Sequence, residues 1–349
     1  MAWVEPQHSR EDVDAAGVAL AQRKSSNPFA PFDPEFQSAL AIINNWRSSH
    51  NWPLNTFQIG LRRRAKQIDQ SSLIAQRIKR LPAIRHKLRI MKKWVTLSQM
   101  QDIGGCRAVV GNVSQVYQLV DNYRRSDIKH KLEKLNDYIK APKPTGYRSI
   151  HMVYRYNSDR SETYNGLQIE VQLRSPLQHA WATAVETVGL FTQQALKSSR
   201  GQAEWLRFFT LMGSALAIRE QQALVPNTPE NRKELKKEIQ EHASKLNVVD
   251  HLHAFSQALQ VTEKPGSQKA HYFLLQLDPT AKKVNVTGYT QRELFQATQE
   301  YEVAERSGSS VGVDAVLVSV ESLASLKRAY PNYFLDTGVF IKAVEQAIA

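Results

Sequence analysis

Residues 166–174, GLQIEVQLR, followed at once by 175–182, SPLQHAWA, carry the most informative change of pattern in the chain. Leu167, Ile169, Val171 and Leu173 alternate with Gln168, Glu170, Gln172 and Arg174, the period of two expected of a strand with one buried and one polar face. Ser175 then offers an N-cap and Pro176 a first-turn residue for a long helix through HAWATAVETVGLFTQQAL. Working outward, CRAVVG (106–111) is a short β-branched run that reads as the first central strand, with Asp102 and the pair Gly104–Gly105 just before it. VSQVYQLVDNYRR returns to helical spacing and HMVYRY reads as a further strand. Residues 70–200 therefore predict an α/β (α+β) unit, a mixed sheet flanked by helices.

Upstream, Phe36, Leu40, Ile43 and Trp46 fall on a helical period that Pro53 closes, after a turn-rich lead-in, SSNPFAPFDP. Helical spacing resumes through Phe57 and Leu61 to about Lys66. A further helix is expected from Ser71 through LIAQRIKRL to Pro82. Beyond it, Ile84, Leu88, Met91 and Val95 form an apolar stripe on a strongly basic helix. Downstream come a helix over 203–224, the connector VPNTPENRK and one helical run from 233 to 260. The segment EKPGSQK reads as a hinge into a small domain, with HYFLLQL and KVNVTGY as a hairpin, DAVLVSV as a buried strand and helical turns from Thr337. The organisation expected is an extension with a helix (1–50), an α/β domain (51–200), a helical linker region (201–262) and a small C-terminal α/β domain (263–349).

The 349 residues include 46 basic and 33 acidic side chains, a net +13, and one cysteine. A lone Cys106 excludes an intramolecular disulfide framework and a cysteine-rich zinc site. Nor do His242, His251 and His253 complete a recognisable zinc set. No run reaches the roughly 18 apolar residues of a membrane span. The N-terminus lacks a basic segment followed by an apolar core, so a cytoplasmic protein is expected. The charge is concentrated: residues 51–110 carry 13 basic and 2 acidic groups, whereas 261–349 carry 9 and 10.

Three pieces of this basic region belong together. In RIKRLPAIRHKLR, Arg77, Lys79, Arg80, Lys87 and Arg89 lie within 13 residues. Like charges that close repel, so they form either a solvated helix face or a polyphosphate site that uses forked arginine donors. In QDIGGCRAVV, Asp102 is one of only two carboxylates between 51 and 110, a turn residue or a functional acid. In DYIKAPKPTGYRSIHMVY, Lys140, Lys143, Tyr147, Arg148 and His151 gather on a Pro/Gly turn and the start of a strand. Gly146 permits the turn, Tyr147 offers a stacking face, and the cations can meet phosphate oxygens. Glu170 is either solvent-facing or, with Asp102, half of a carboxylate pair for a divalent metal. No GxxxxGK[ST], HRD…N or DFG is present, which excludes a P-loop enzyme and a protein kinase.

Taken in order, Arg77-Ile-Lys79 with Lys87, DIGGCR (102–107), YIKAPKPTGYRSIH (138–151), and EVQLR (170–174) with HAWA (179–182) and Glu186 resemble the synthetase domain of the RelA/SpoT family, the (p)ppGpp synthetases. The resemblance implies a nucleotidyltransferase-like fold and transfer of the β,γ-pyrophosphate of ATP to the 3′-hydroxyl of GDP or GTP. It implies that Asp102 and Glu170 hold Mg²⁺ and that Glu170 helps deprotonate the acceptor. Arg77, Lys79, Lys87 and Arg107 would clamp ATP. Tyr147 would stack on the acceptor guanine, Lys143, His151 and Arg148 would meet acceptor phosphates, and Gln172 and Arg174 would support the strand. Thr145 stands where the family's turn carries Asn. The chain has no His-Asp dipeptide, the metal pair of the family's hydrolase half, so it is closer to a small alarmone synthetase. Other members of the family use the 3′ end of tRNA or adenosine nucleotides as acceptors, and many are homo-oligomers. Arg62–Arg64, Lys92 and Lys93 would suit an RNA backbone. The non-enzymatic alternative is a basic RNA-binding module that keeps the fold.

Overall fold

The structure, a computed structural model, describes residues 3–23, 34–91, 95–195, 199–257, 259–263, 270–311 and 313–349. The lead-in over 25–33, Lys92 and Lys93, and residues 264–269 of the expected hinge lie outside these. Helices α1 (Arg10–Gln22), α2 (Pro34–Ser49) and α3 (Asn51–Ile68) precede strand β1 (Leu73–Ile78), helix α4 (Leu81–Ile90), strand β2 (Gly104–Val109) and helix α5 (Val113–Arg124). Strands β3 (Lys131–Asp137), β4 (Ile150–Arg155) and β5 (Gln168–Arg174) follow. After them come helices α6 (Pro176–Ala195), α7 (Ser199–Arg219), α8 (Arg232–Lys245) and α9 (Val248–Gln257). The C-terminal part comprises β6 (Gln260–Glu263), β7 (Tyr272–Asp278), β8 (Lys283–Tyr289), α10 (Leu294–Val311), β9 (Asp314–Ser319), α11 (Leu323–Ala329) and α12 (Gly338–Ile348).

The described strands form one mixed sheet in the order β3-β4-β5-β2-β1-β9-β7-β8-β6. The pattern read from 166–174 is borne out: Ile169, Val171 and Leu173 are fully buried on the face that packs against α3 and α5. The opposite face keeps the polar residues, and there the chemistry collects. Ser175 caps α6 by accepting a hydrogen bond from the Gln178 amide at 3.2 Å.

Four elements differ from the sequence reading. The helix expected from Ser71 to Pro82 is instead β1, a central strand paired with β2 on one side and β9 on the other. Such a strand shows no clean alternation, because both faces are covered; Pro82 opens α4 rather than ending a helix. Pro53 likewise lies in the first turn of α3, not at the end of α2. The single run from 233 to 260 is two helices, broken at Asn247, which adopts φ 44°. Residues 131–137, to which the sequence reading assigns no element, form the edge strand β3, where exposed charges suit an unpaired edge.

The hairpin β7–β8 and the buried strand β9 occur as expected, but they extend the main sheet rather than standing apart. Gln76 pairs with Ser319 and Arg77 with Val318, closing the open edge of β1. A buried polar junction reinforces this contact. Arg47 of α2 and Glu305 of α10 are an ion pair at 3.0 Å, each 3% exposed.

Candidate active site

Register assembles the site. Gly105 of β2 lies opposite Glu170 of the parallel strand β5 and opposite Arg77 of the antiparallel strand β1. Two residues on, Arg107 faces Gln172 and Ala75. Alternation then puts Arg77, Arg107, Glu170, Gln172 and Arg174 on one face, where they line a cleft with Lys79, Asp102 and Glu186. Gly105 puts no side chain between Arg77 and Glu170, and the nearest atom to an added Cβ would be 3.8 Å away.

Asp102, in the turn before β2, accepts from Lys79 Nζ at 2.7 Å and from Lys87 Nζ at 2.9 Å. Lys79 is fixed where β1 ends by its amide, which donates to the Ile103 carbonyl at 2.8 Å. Burial would raise the Asp102 pKa, yet the two ammonium groups hold it below the usual carboxylate range. Glu170 Oε1 lies 2.8 Å from His151 Nδ1, and Oε2 accepts from Gln172 Nε2 at 2.6 Å. Here too burial opposes the charge, and the His151 hydrogen bond overcomes it, so Glu170 is held below its ordinary value. His151, on β4 opposite Gln172, is shifted upward by the same contact despite its burial.

The network closes on the Pro/Gly turn. Tyr147 Oη lies 2.7 Å from His151 Nε2 and accepts from Arg174 at 2.8 Å. Burial would raise the phenol, but Arg174 and then His151 bring it down to about 8. The ring packs edge-on against Tyr138, His151 and Trp181, while Lys143 Nζ sits 4.4 Å from the Tyr138 ring centre and 5.2 Å from that of Tyr147. On the cleft's other flank the cations crowd. Burial, then the neighbouring Arg174, lowers Arg107 to about 10, and Arg174 keeps Nε and one terminal nitrogen buried without partners. Guanidinium groups this close are stabilised by a shared anion.

Of the residues singled out by sequence, Arg77, Lys79, Asp102, Arg107, Glu170, Gln172 and Arg174 share the cleft. Lys87 joins through Asp102, and His151, Tyr147 and Lys143 form the adjoining wall. Arg148 does not join them: it is buried and its guanidinium donates to Glu220 at 2.9 Å, which corrects its placement at an acceptor phosphate. Two contributors escaped sequence reading. Arg107 donates to the carbonyl of Ala329, and its guanidinium carbon lies 5.4 Å from the centre of the Tyr330 ring. Tyr330 is itself anchored by donating to the Gln76 carbonyl at 3.0 Å and lines the cleft, which is left with about 90 Å³. No periodicity links the 329–330 segment to residues 222 positions earlier.

Residues 76–191 match the family described as "Region found in RelA / SpoT proteins". The chain carries a RelA/SpoT domain. The chain is 28% identical over 111 residues to "GTP pyrophosphokinase YwaC" of Bacillus subtilis, covering 31% of this chain and 52% of that protein. It is 32% identical over 99 residues to "Probable GTP diphosphokinase RSH3, chloroplastic" of Arabidopsis thaliana, covering 27% and 12%. The matches thus span about half of the first relative and about an eighth of the second. Among solved structures, small alarmone synthetase 2 from Bacillus subtilis aligns with a TM-score of 0.42 at 20% identity, over 51% of this chain and 95% of that one. The RelA/SpoT region is homologous to nucleotide pyrophosphokinases. Among the described residues, no helix is long and apolar enough to cross a membrane.

Proposed function

We propose that the chain is an ATP-dependent pyrophosphokinase that moves the β,γ-pyrophosphate of ATP to the 3′-hydroxyl of GDP or GTP, releasing AMP. The observation that carries this reading is the placement of Asp102 and Glu170 beside adjacent parallel strands, in one cleft with Arg77, Lys79, Arg107 and Arg174. In such a transfer the acceptor oxygen bonds to Pβ, the Pα–O–Pβ bridge breaks towards AMP, and the hydroxyl proton leaves. The protein's task is to position two anions and neutralise charge.

Arg77, Lys79 and Arg107 are suited to the triphosphate. Glu170, kept ionised and oriented by His151 and Gln172, is the group to take the proton. Lys143 is suited to the acceptor's phosphates and the Tyr147 ring to its base, while His151, with both ring nitrogens engaged by Glu170 and Tyr147, positions those two groups rather than meeting a phosphate. Asp102 and Glu170 also fit Mg²⁺: both are hard oxygen donors, both are ionised, and the charge of Asp102 is felt at Glu170. When bound there the ion would supply charge neutralisation on the polyphosphate. For a polyphosphate to reach Arg107, the Ala329 carbonyl has to release it.

Incubation of the purified chain with γ-labelled ATP, Mg²⁺ and separately GDP, GTP, ATP or deacylated tRNA tests the reading. Labelled guanosine product is expected. Label appearing on tRNA or adenosine nucleotide alone would replace the acceptor, and no transfer to any of the four would reject the enzyme in favour of a binding module.

A further inference from the structure

We infer that helix α7, which lies beyond the RelA/SpoT-matching residues, positions the turn that presents Tyr147, with Gly213 and Glu220 as its positioning residues; this rests on the acceptor role proposed above. The turn is closed by the Gly146 amide donating to the Lys143 carbonyl at 2.9 Å and the Lys143 amide to the Tyr147 carbonyl at 3.2 Å. Gly146 has φ +93°, a conformation that side chains disfavour. It is also seated directly on α7. A Cβ on Gly146 would fall 2.8 Å from the Phe209 carbonyl oxygen, and a Cβ on Gly213 would fall 2.8 Å from the Gly146 Cα and 2.9 Å from its oxygen. Two glycines therefore permit backbone-to-backbone contact between turn and helix. Trp181, whose ring packs on Tyr147, is tied to the same place by its indole N–H donating to the Phe209 carbonyl at 2.9 Å.

Glu220, immediately after α7, fixes the other end. Its carboxylate accepts from Arg148 at 2.9 Å, from Gln178 Nε2 at 3.1 Å and from the Ser175 hydroxyl, and the Arg148–Glu220 side chains are 2% and 8% exposed. Arg148 follows Tyr147 in the chain, and Ser175 follows Arg174, the residue that donates to the Tyr147 hydroxyl. One carboxylate thus clamps both peptide segments that hold the phenol. Displacements of about 1 Å at a substrate-positioning group can cost on the order of a hundredfold in rate.

Gly213→Ala must push Gly146 aside, whereas Glu220→Gln keeps one accepting oxygen and loses the charge. With steady-state kinetics, Gly213→Ala is expected to raise the acceptor KM about tenfold or more while leaving the ATP KM within about twofold, with Glu220→Gln intermediate. Hydrogen exchange at the Gly146 and Lys143 amides, read on the protein without substrate, is expected to quicken by about tenfold or more in both variants. Equal rises in both KM values, or unchanged exchange at those two amides, would overturn the inference. If the wild-type chain transfers nothing to any acceptor, the functional reading falls and the amide exchange alone decides whether α7 orders the turn.

Discussion

Glu305→Ala tests whether the C-terminal part is locked to the part that bears the cleft by a buried charge. Glu305 accepts from the Leu81 amide at 2.7 Å and from the Tyr301 hydroxyl at 2.8 Å, and it pairs with Arg47 at 3.0 Å. Arg47 also donates to the Lys79 carbonyl at 3.0 Å, so the junction stands directly behind Lys79 and the start of α4. Burial works against the Arg47 charge and Glu305 restores it. Removing the carboxylate leaves a buried guanidinium without its anion, at a cost of about 3–5 kcal/mol, and orphans a buried amide, worth about 1–3 kcal/mol. These terms share one cause, so the expected loss is about 4 kcal/mol, a large part of the roughly 5–15 kcal/mol typical of a folded protein. Urea unfolding followed by tryptophan fluorescence measures it, since Trp46 lies one residue from Arg47. The companion Arg47→Met, Glu305→Leu removes both charges and is expected to recover at least half of the loss, because a buried pair is often replaceable by apolar groups of similar size. A loss below about 1 kcal/mol for Glu305→Ala, or a double variant no more stable than the single one, would refute the reasoning.

Asp102→Asn and Glu170→Gln are each expected to reduce pyrophosphoryl transfer by about a hundredfold or more without unfolding the chain; circular dichroism and labelled-ATP turnover check the two halves of that statement. His50 is buried, and burial lowers its pKa from 6.5 to about 4, so it stays neutral in the fold. Its contribution is complete above pH 6.5 and is lost as pH falls towards 4, because the unfolded chain binds the proton more readily; the loss is about 3 kcal/mol, and His50→Gln is expected to flatten that part of the stability profile. Tyr330→Ala is expected to tighten binding of a fluorescent ATP analogue by about tenfold, since the ring lines the cleft and is held to the Gln76 carbonyl. Unchanged affinity would show that the segment does not limit access.

What could be read from sequence depended on whether a pattern was local. Strand β5 was legible because one face is fully buried and the other carries Glu170, Gln172 and Arg174, so a period of two survives in the residues themselves. Asp102 stood out as an acid in a basic region, and its two lysine partners lie only 23 and 15 residues away. Strand β1 was misread because covering by neighbours on both sides erases alternation, and the arginines and lysines after Leu73 imitate a basic helix face. The C-terminal sheet's junction with β1 was invisible for a related reason: Val318 pairs with Arg77 only because an edge was left open, and no residue of β9 states that by itself. Arg148 marks the limit most sharply. Its neighbour Tyr147 faces the site, and a cation beside it in a Pro/Gly turn reads as a phosphate ligand. The guanidinium instead meets Glu220, 72 residues downstream. A sequence shows that a charge is present; which way it points is decided by the opposite charge that folding brings to it. That long-range choice divides the cations of this chain into those left facing the cleft, such as Arg77 and Arg107, and those spent on holding its walls, such as Arg47 and Arg148.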